Sequence, residues 1–169
     1  MRKLLHHGFT LVELVVTLVI IGALAAVSAP LFFGAQEFQQ SGFYNESLAS
    51  VRFAQKLAVA SGCPVQVGIA GNTLTLSQVP PGNVATCTTP PYSSTVADPS
   101  NSGGLYTRSA PSGMSLSSSA SMFLFCPLGD TQSAADVAPH CTGNYTNIGV
   151  TVTVGGQSFT VVGATGHVR

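Results

Sequence analysis

Charge is what this chain has least of. Only 7% of its 169 residues are charged, six basic and six acidic, for a formal net charge of zero. It contains no lysine- or arginine-rich tract able to neutralise several phosphates at once, which argues against strong nucleic-acid binding by counterion release and against charge-steered association. Catalytic signatures are missing too. There is no Gly-x-Ser-x-Gly elbow, no phosphate-binding glycine loop and no helical metal pair. Beyond the first eight residues the histidines are His140 and His167. Asp98, Asp130 and Asp136 fall in expected loops, where solvated surface is the ordinary explanation. No CxxC occurs, and His140 adjoins Cys141 alone, so no metal site is expected. The chain does not read as an enzyme, and no cofactor is implied.

A long hydrophobic run is what it does have. A short leader with Arg2 and Lys3 ends at Gly8, and an apolar stretch of 25 residues follows, from Phe9 to Phe33. As a helix it would be about 37 Å long at 1.5 Å per residue, enough for a hydrocarbon core of about 30 Å. Its single charge is Glu13, five residues after the glycine. A carboxylate inside a membrane-spanning helix costs roughly 3 kcal/mol on insertion scales, so it needs a use. A secretory signal is one alternative, with Ala23, Ala25, Ala26, Ser28 and Ala29 offering an Ala-x-Ala cut. A plain single-span anchor is the other. The first leaves Gly8 and Glu13 unexplained, and the second leaves Glu13 without a purpose.

Arg2 and Lys3 set the orientation, because positive charge stays cytoplasmic. The remainder then lies on the far side of the inner membrane, as a single-pass protein. Cys63, Cys87, Cys126 and Cys141 all lie beyond the apolar run. An even number of cysteines in an oxidising compartment suggests two disulfides. Four cysteines allow three pairings. Cys126 with Cys141, which closes a short loop, and Cys63 with Cys87 are favoured.

Three parts follow along the chain. The apolar half of a long helix covers residues 9–33, and Pro30 is expected to bend it. An amphipathic half covers residues 34–62, with Phe38, Tyr44, Leu48, Val51, Leu57 and Ala58 as its apolar stripe. Gly62 and Pro64 end it. The rest, residues 63–169, reads as a β-domain. Val65, Val67 and Ile69 alternate, Gly71-Asn72 turns the chain, and Leu74 and Leu76 alternate again, which predicts a hairpin. Residues 80–113, rich in Pro, Ser, Thr and Gly, read as a long exposed loop with one short strand near Leu105 to Arg108. Cys87 would tie this loop down. Ser121 to Cys126 reads as a strand that helps complete the sheet. Ile148 to Val154 and Gln157 to Val162, joined by Gly155-Gly156, form the clearest hairpin. The β-domain with its helix, roughly 130 residues, is large enough to bury its own core.

The pattern Gly8-Phe9-Thr10-Leu11-Val12-Glu13 resembles the type IV pilin and type II secretion pseudopilin signature. With the leader, the long helix and a β-domain ending in Gly166-His167-Val168-Arg169, the chain resembles the minor pseudopilin group called GspH/FimT. Residues 52–65, Arg-Phe-Ala-Gln-Lys-Leu-Ala-Val-Ala-Ser-Gly-Cys-Pro-Val, look like the helix end and first strand of that group. Phe125-Cys126-Pro127-Leu128-Gly129 looks like its strand and Pro-x-Gly turn. The Arg52 to Lys56 run and Phe43-Tyr44 look most like minor pilins of the mannose-sensitive haemagglutinin pilus. The likeness covers most of the chain except residues 80–113.

The resemblance implies an α+β pilin-like fold, a long helix packed on a small antiparallel β-domain. It implies cleavage by prepilin peptidase between Gly8 and Phe9 and N-methylation of Phe9. It makes Glu13 the assembly residue, paired with the cationic amine of a neighbouring subunit. A carboxylate and an ammonium attract strongly in a low-dielectric medium, and each alone is penalised. The implied partners are other pilins or pseudopilins, the peptidase, the inner-membrane assembly platform and lipid around residues 9–33. Without the leader, four basic and six acidic side chains remain, a formal charge of −2. The function expected is to initiate or cap a type IV pilus or a secretion pseudopilus. DNA binding in an uptake pilus is the alternative. FimT-type pilins are associated with it through a basic Gly-Arg-x-Arg tail. Here His167 stands at the first arginine, leaving Arg169 beside the terminal carboxylate.

Overall fold

The computed structural model describes residues 9–78, 87, 92–100, 104–134, 141 and 146–169, and for 27–36 the backbone alone. The chain divides into two compact units, Met1–Gln39 and Gln40–Arg169. One helix, α1 (Leu11–Ser61), contributes to both. The bend expected at Pro30 lies outside the described side chains. α1 stops where the sequence says it must. Gly62 adopts a left-handed φ of +67°, which lets the backbone leave the helix, and Pro64 cannot continue it.

Among the described residues the second unit adds nine strands: β1 (Val65–Ala70), β2 (Thr73–Gln78), β3 (Ser94–Thr95), β4 (Thr107–Ser109), β5 (Leu116–Ser118), β6 (Met122–Phe125), β7 (Thr131–Ser133), β8 (Val150–Val154) and β9 (Gln157–Val161). They form two antiparallel sheets where the alternation pattern suggested one. Six strands run β3-β2-β1-β6-β7, with β4 also paired to β2, and three run β5-β8-β9. The fold is α+β and pilin-like, with α1 from Gln40 onward packed on the antiparallel β-domain.

The two hairpins have two-residue turns. Gly71-Asn72 joins β1 to β2, and Gly155-Gly156 joins β8 to β9. All four turn residues have left-handed φ angles, between 54° and 92°. This is the backbone that matches the twist of paired strands. Asn72 tolerates it, and its Oδ1 accepts a bond from the Leu116 amide, tying the turn to β5.

Val65, Val67 and Ile69 of β1, Leu74 and Leu76 of β2, Phe123 and Phe125 of β6, Val150, Val152 and Val154 of β8, and Phe159 and Val161 of β9 are buried together. α1 covers them with Phe43, Val51, Ala54 and Ala58, while Ser47 and Ser50 are also buried. This face is rotated from the expected stripe. Tyr44, Leu48 and Leu57 are only partly buried, and Phe38 is exposed. Small side chains let the helix backbone lie close to the sheet, so Ala and Ser occupy positions where periodicity favoured the larger residues.

The region expected as a loop over 80–113 is the largest departure. Residues 79–86, 88–91 and 101–103 lie outside the described residues. The described remainder is an arm rather than an exposed loop, since Tyr92, Val96, Asp98 and Tyr106 are buried. The arm covers the outer edge of β2. β4 pairs Thr73, Leu74 and Thr75, and β3 pairs Ser77 and Gln78. Between them the Leu76 amide donates to the Tyr106 carbonyl (3.2 Å) and the Leu76 carbonyl accepts from Val96 (2.9 Å). The Tyr106 amide donates in turn to the Val96 carbonyl (2.8 Å).

Candidate functional site

At the N-terminal motif, Gly8 lies outside the described residues, while Phe9 is 73% exposed and Glu13 sits exposed in the first turn of α1. Thr10 begins that turn. Its Oγ1 accepts from the Glu13 amide at 3.3 Å, and its carbonyl accepts from Leu14 at 3.2 Å. Thr10 is therefore an N-cap with Glu13 at the third helical position, the Thr-x-x-Glu arrangement of a capping box. A carboxylate there also faces the positive end of the helix dipole, an effect of about 0.3–1 kcal/mol at an exposed site. Sequence reasoning missed this local role, although the Thr10-x-x-Glu13 spacing was there to read. Leu11, Val12, Leu14, Val15, Val16, Leu18, Val19, Ile20, Ile21 and Leu24 are all exposed along the same helix. Among the described residues no helix is long and apolar enough to cross a membrane. The stretch expected to span one, residues 9–33, runs past Ala26 into side chains that are not described.

The cysteines form two disulfides, Cys63–Cys87 and Cys126–Cys141, each with a Cα–Cα distance of 5.5 Å. The first fastens the arm to the start of β1 just after α1. The second closes the segment that leaves β6. Among the described residues no three His, Cys, Asp or Glu side chains converge as metal ligands would.

At the C-terminus the chain turns back along β9. Val168 bridges Val161, and the amides and carbonyls of Thr160 and Arg169 exchange hydrogen bonds of 2.8 and 3.0 Å. Strand alternation then places Val168 in the core at 2% exposure, with His167 and Arg169 exposed on either side of it. Two side chains from α1 hold the tail. Arg52 Nη2 donates to the Val168 carbonyl (3.1 Å) and Gln55 Nε2 to the Thr165 carbonyl (3.0 Å). Gly166, with φ +59°, rests against the Gly129 carbonyl and the Phe125 ring, where a Cβ would have no room. The glycine of Gly-His-Val-Arg is thus needed for packing. Arg52 is brought to the tail, while Arg108 is not available there.

Arg108 is engaged elsewhere. Its Nη1 donates to Asp98 Oδ2 at 2.6 Å, and its Nε forms a 2.7 Å ion pair with Glu46 Oε1 on α1, without hydrogen-bond alignment. Its guanidinium lies 4.5 Å from the centre of the Tyr106 ring, which stacks on Phe53 at 5.2 Å. Tyr106 Oη donates to Ser50 Oγ. The Arg108 guanidinium, aided by the Ser100 hydroxyl and amide, holds the Asp98 carboxyl well below the usual carboxylate range. Sequence reasoning placed Asp98 on a solvated loop, yet it is 6% exposed. Burial pushes the Tyr92 phenol up to about 12.

Residues 4–29 match the family model for the prokaryotic N-terminal methylation motif. No curated protein and no solved structure matches the chain significantly. The motif is of the prepilin type and supports a type IV pilin or pseudopilin subunit in general, which is a structural subunit. It implies processing by prepilin peptidase and assembly with other pilins, and it fits inner-membrane anchoring and incorporation into a pilus.

Proposed function

We propose that this chain is a minor pilin or pseudopilin that helps initiate or cap a type IV pilus or a type II secretion pseudopilus. The observation that carries the proposal is the methylation motif over residues 4–29, with Glu13 five residues after Gly8. A helix leading into a disulfide-bonded β-domain supports it. In this reading the peptidase cuts between Gly8 and Phe9, Phe9 is methylated, and residues 9–33 anchor the chain in the inner membrane with the β-domain periplasmic. Glu13 then meets the amine of a neighbouring subunit. Affiliation to the GspH/FimT group, with most likeness to the minor pilin MshC, rests on the sequence resemblance alone.

Electron microscopy of surface filaments on a deletion strain tests the role. Loss of filaments, restored by the wild-type gene, supports pilus assembly. Normal filaments shift the role to a secretion pseudopilus or to uptake. Glu13→Gln separates two uses of the carboxylate. Glutamine still serves a capping box but carries no charge. Wild-type incorporation of Glu13→Gln would leave capping as its whole purpose, whereas lost incorporation with normal membrane insertion supports intersubunit pairing.

One observation favours the DNA-uptake reading. The tail exposes His167 and Arg169 while Arg52 is bonded to Val168 between them. With so few cations, binding would be weak and strongly salt-dependent. A gel shift with the chain in detergent at low salt tests it, and no shift dismisses it.

A further inference from the structure

Once the internal pairings are made, α1 carries most of the charge left over. Arg108 takes up Glu46 and Asp98, and Asp130 accepts from Gln132. Arg169 stands beside its own terminal carboxylate. Beyond the Thr10 cap, the described residues of α1 then hold one carboxylate, Glu37, and two cations, Arg52 and Lys56, in no ion pair. All three are exposed.

The two cations share a site. Arg52 and Lys56, four residues apart and so on one face of the helix, line a cleft of about 320 Å³ with Asn45, Leu48, Ala49 and Phe53. Arg52 is anchored by the Val168 carbonyl, a neutral acceptor that leaves its charge uncompensated. The cleft combines apolar walls with two unpaired cations. It fits a carboxylate next to a large apolar side chain.

Earlier on the same helix the chain displays that pair. Phe38 follows Glu37 directly and is 82% exposed, outside the core that the rest of the apolar stripe joins. Burying the ring would be favourable in proportion to the area removed from water.

We propose that Glu37-Phe38 of one copy docks in the Arg52–Lys56 cleft of a second copy. The two surfaces differ, so the contact is heterologous and repeats from copy to copy. Copies anchored by residues 9–33 share one orientation in the membrane, which rules out a reciprocal antiparallel pair. The inference rests on the anchored-pilin reading and adds to it that this subunit can follow itself in a filament. An exposed ion pair contributes little alone, so the Phe38 ring supplies most of the adhesion and the charges set its place.

The test is light scattering over a concentration series of the full chain in detergent. It compares wild type, Glu37→Lys, Lys56→Glu, the double variant Glu37→Lys/Lys56→Glu, and Phe38→Ala. Lys56 is chosen over Arg52 because Arg52 also holds the tail. The expected wild-type mass grows past a dimer with concentration. Each single charge reversal and Phe38→Ala should weaken association at least about tenfold, and the double variant should restore it. Equal association in all five proteins, or a wild type that stays monomeric, would overturn the docking. Loss in both single reversals without restoration would overturn the pairing of Glu37 with Lys56. A mass that stops at the dimer would overturn the repeating contact. Filament loss in a deletion strain is a separate reading, so either result can fail alone.

Discussion

Gly129 and Gly166 meet backbone to backbone, the carbonyl of the first lying in the space a side chain on the second would need. Gly129 ends the turn after β6, and Gly166 begins the C-terminal return along β9. Gly166→Ala should therefore combine a left-handed φ with a steric clash and destabilise the domain by about 1–3 kcal/mol. The urea midpoint measures this. A wild-type midpoint would show that the tail can lift away at no cost.

His167 stands on the open side of that return. His167→Arg should change stability by no more than about 0.5 kcal/mol, as exposed substitutions do. It also adds a full positive charge beside Arg52 and Arg169. If the tail touches DNA, affinity at low salt should rise and the salt dependence should steepen. An unchanged gel shift would argue for a structural tail.

Asp98 gives the domain an acid limit. Its carboxyl is depressed in the folded state, chiefly by Arg108 and then by Ser100. A depressed folded value contributes stability above the unfolded pKa, about 3.9 for aspartate, and that contribution is lost as pH falls below it. Glu46, Tyr106 and Ser50 are the other polar groups at the cluster. Urea midpoints from neutral pH down to about pH 2 should fall in wild type below about pH 4, and fall less in Asp98→Asn. Parallel profiles would remove Asp98 from the account.

The disulfides close segments with sequence separations of 24 for Cys63–Cys87 and 15 for Cys126–Cys141. Chain entropy then assigns each about 3 kcal/mol, slightly more for the longer. Replacing either pair by serine should lower the unfolding free energy by about 2–5 kcal/mol. Removing Cys63–Cys87 should also speed hydrogen exchange in the arm before the rest of the domain. If both losses spread evenly through the molecule, the arm is held by its side chains and not by the cross-link.

The sequence showed those elements whose cause is local. Gly62 with Pro64 marked the helix end, Gly71-Asn72 and Gly155-Gly156 marked the hairpins, and alternating Val and Leu residues marked β1, β2 and β8. β5 and β7 escaped because Leu-Ser-Ser and Thr-Gln-Ser carry no apolar alternation. They are strands because β8 and β6 lie beside them. Most of the arm escaped for the same reason, its burial resting on Phe53, Ser50 and Glu46 far back in the chain, although the short strand expected near Leu105 to Arg108 overlaps β4. At the candidate site the motif was plain, and the cap at Thr10 was legible from spacing. That Gly166 is required by Gly129, some 37 residues earlier in the chain, had no local signal at all.

The fork at Leu76 has a consequence for how the arm finds its place. Strands of two and three residues are each too short to choose one alignment over the next. Leu76 answers to both, giving its amide to Tyr106 and its carbonyl to Val96, while Tyr106 and Val96 also bond each other. Sliding either strand by one residue would break the bonds of the other, so the three-way joint works like a pawl. The arm has one way to seat, whatever variation its outer residues carry.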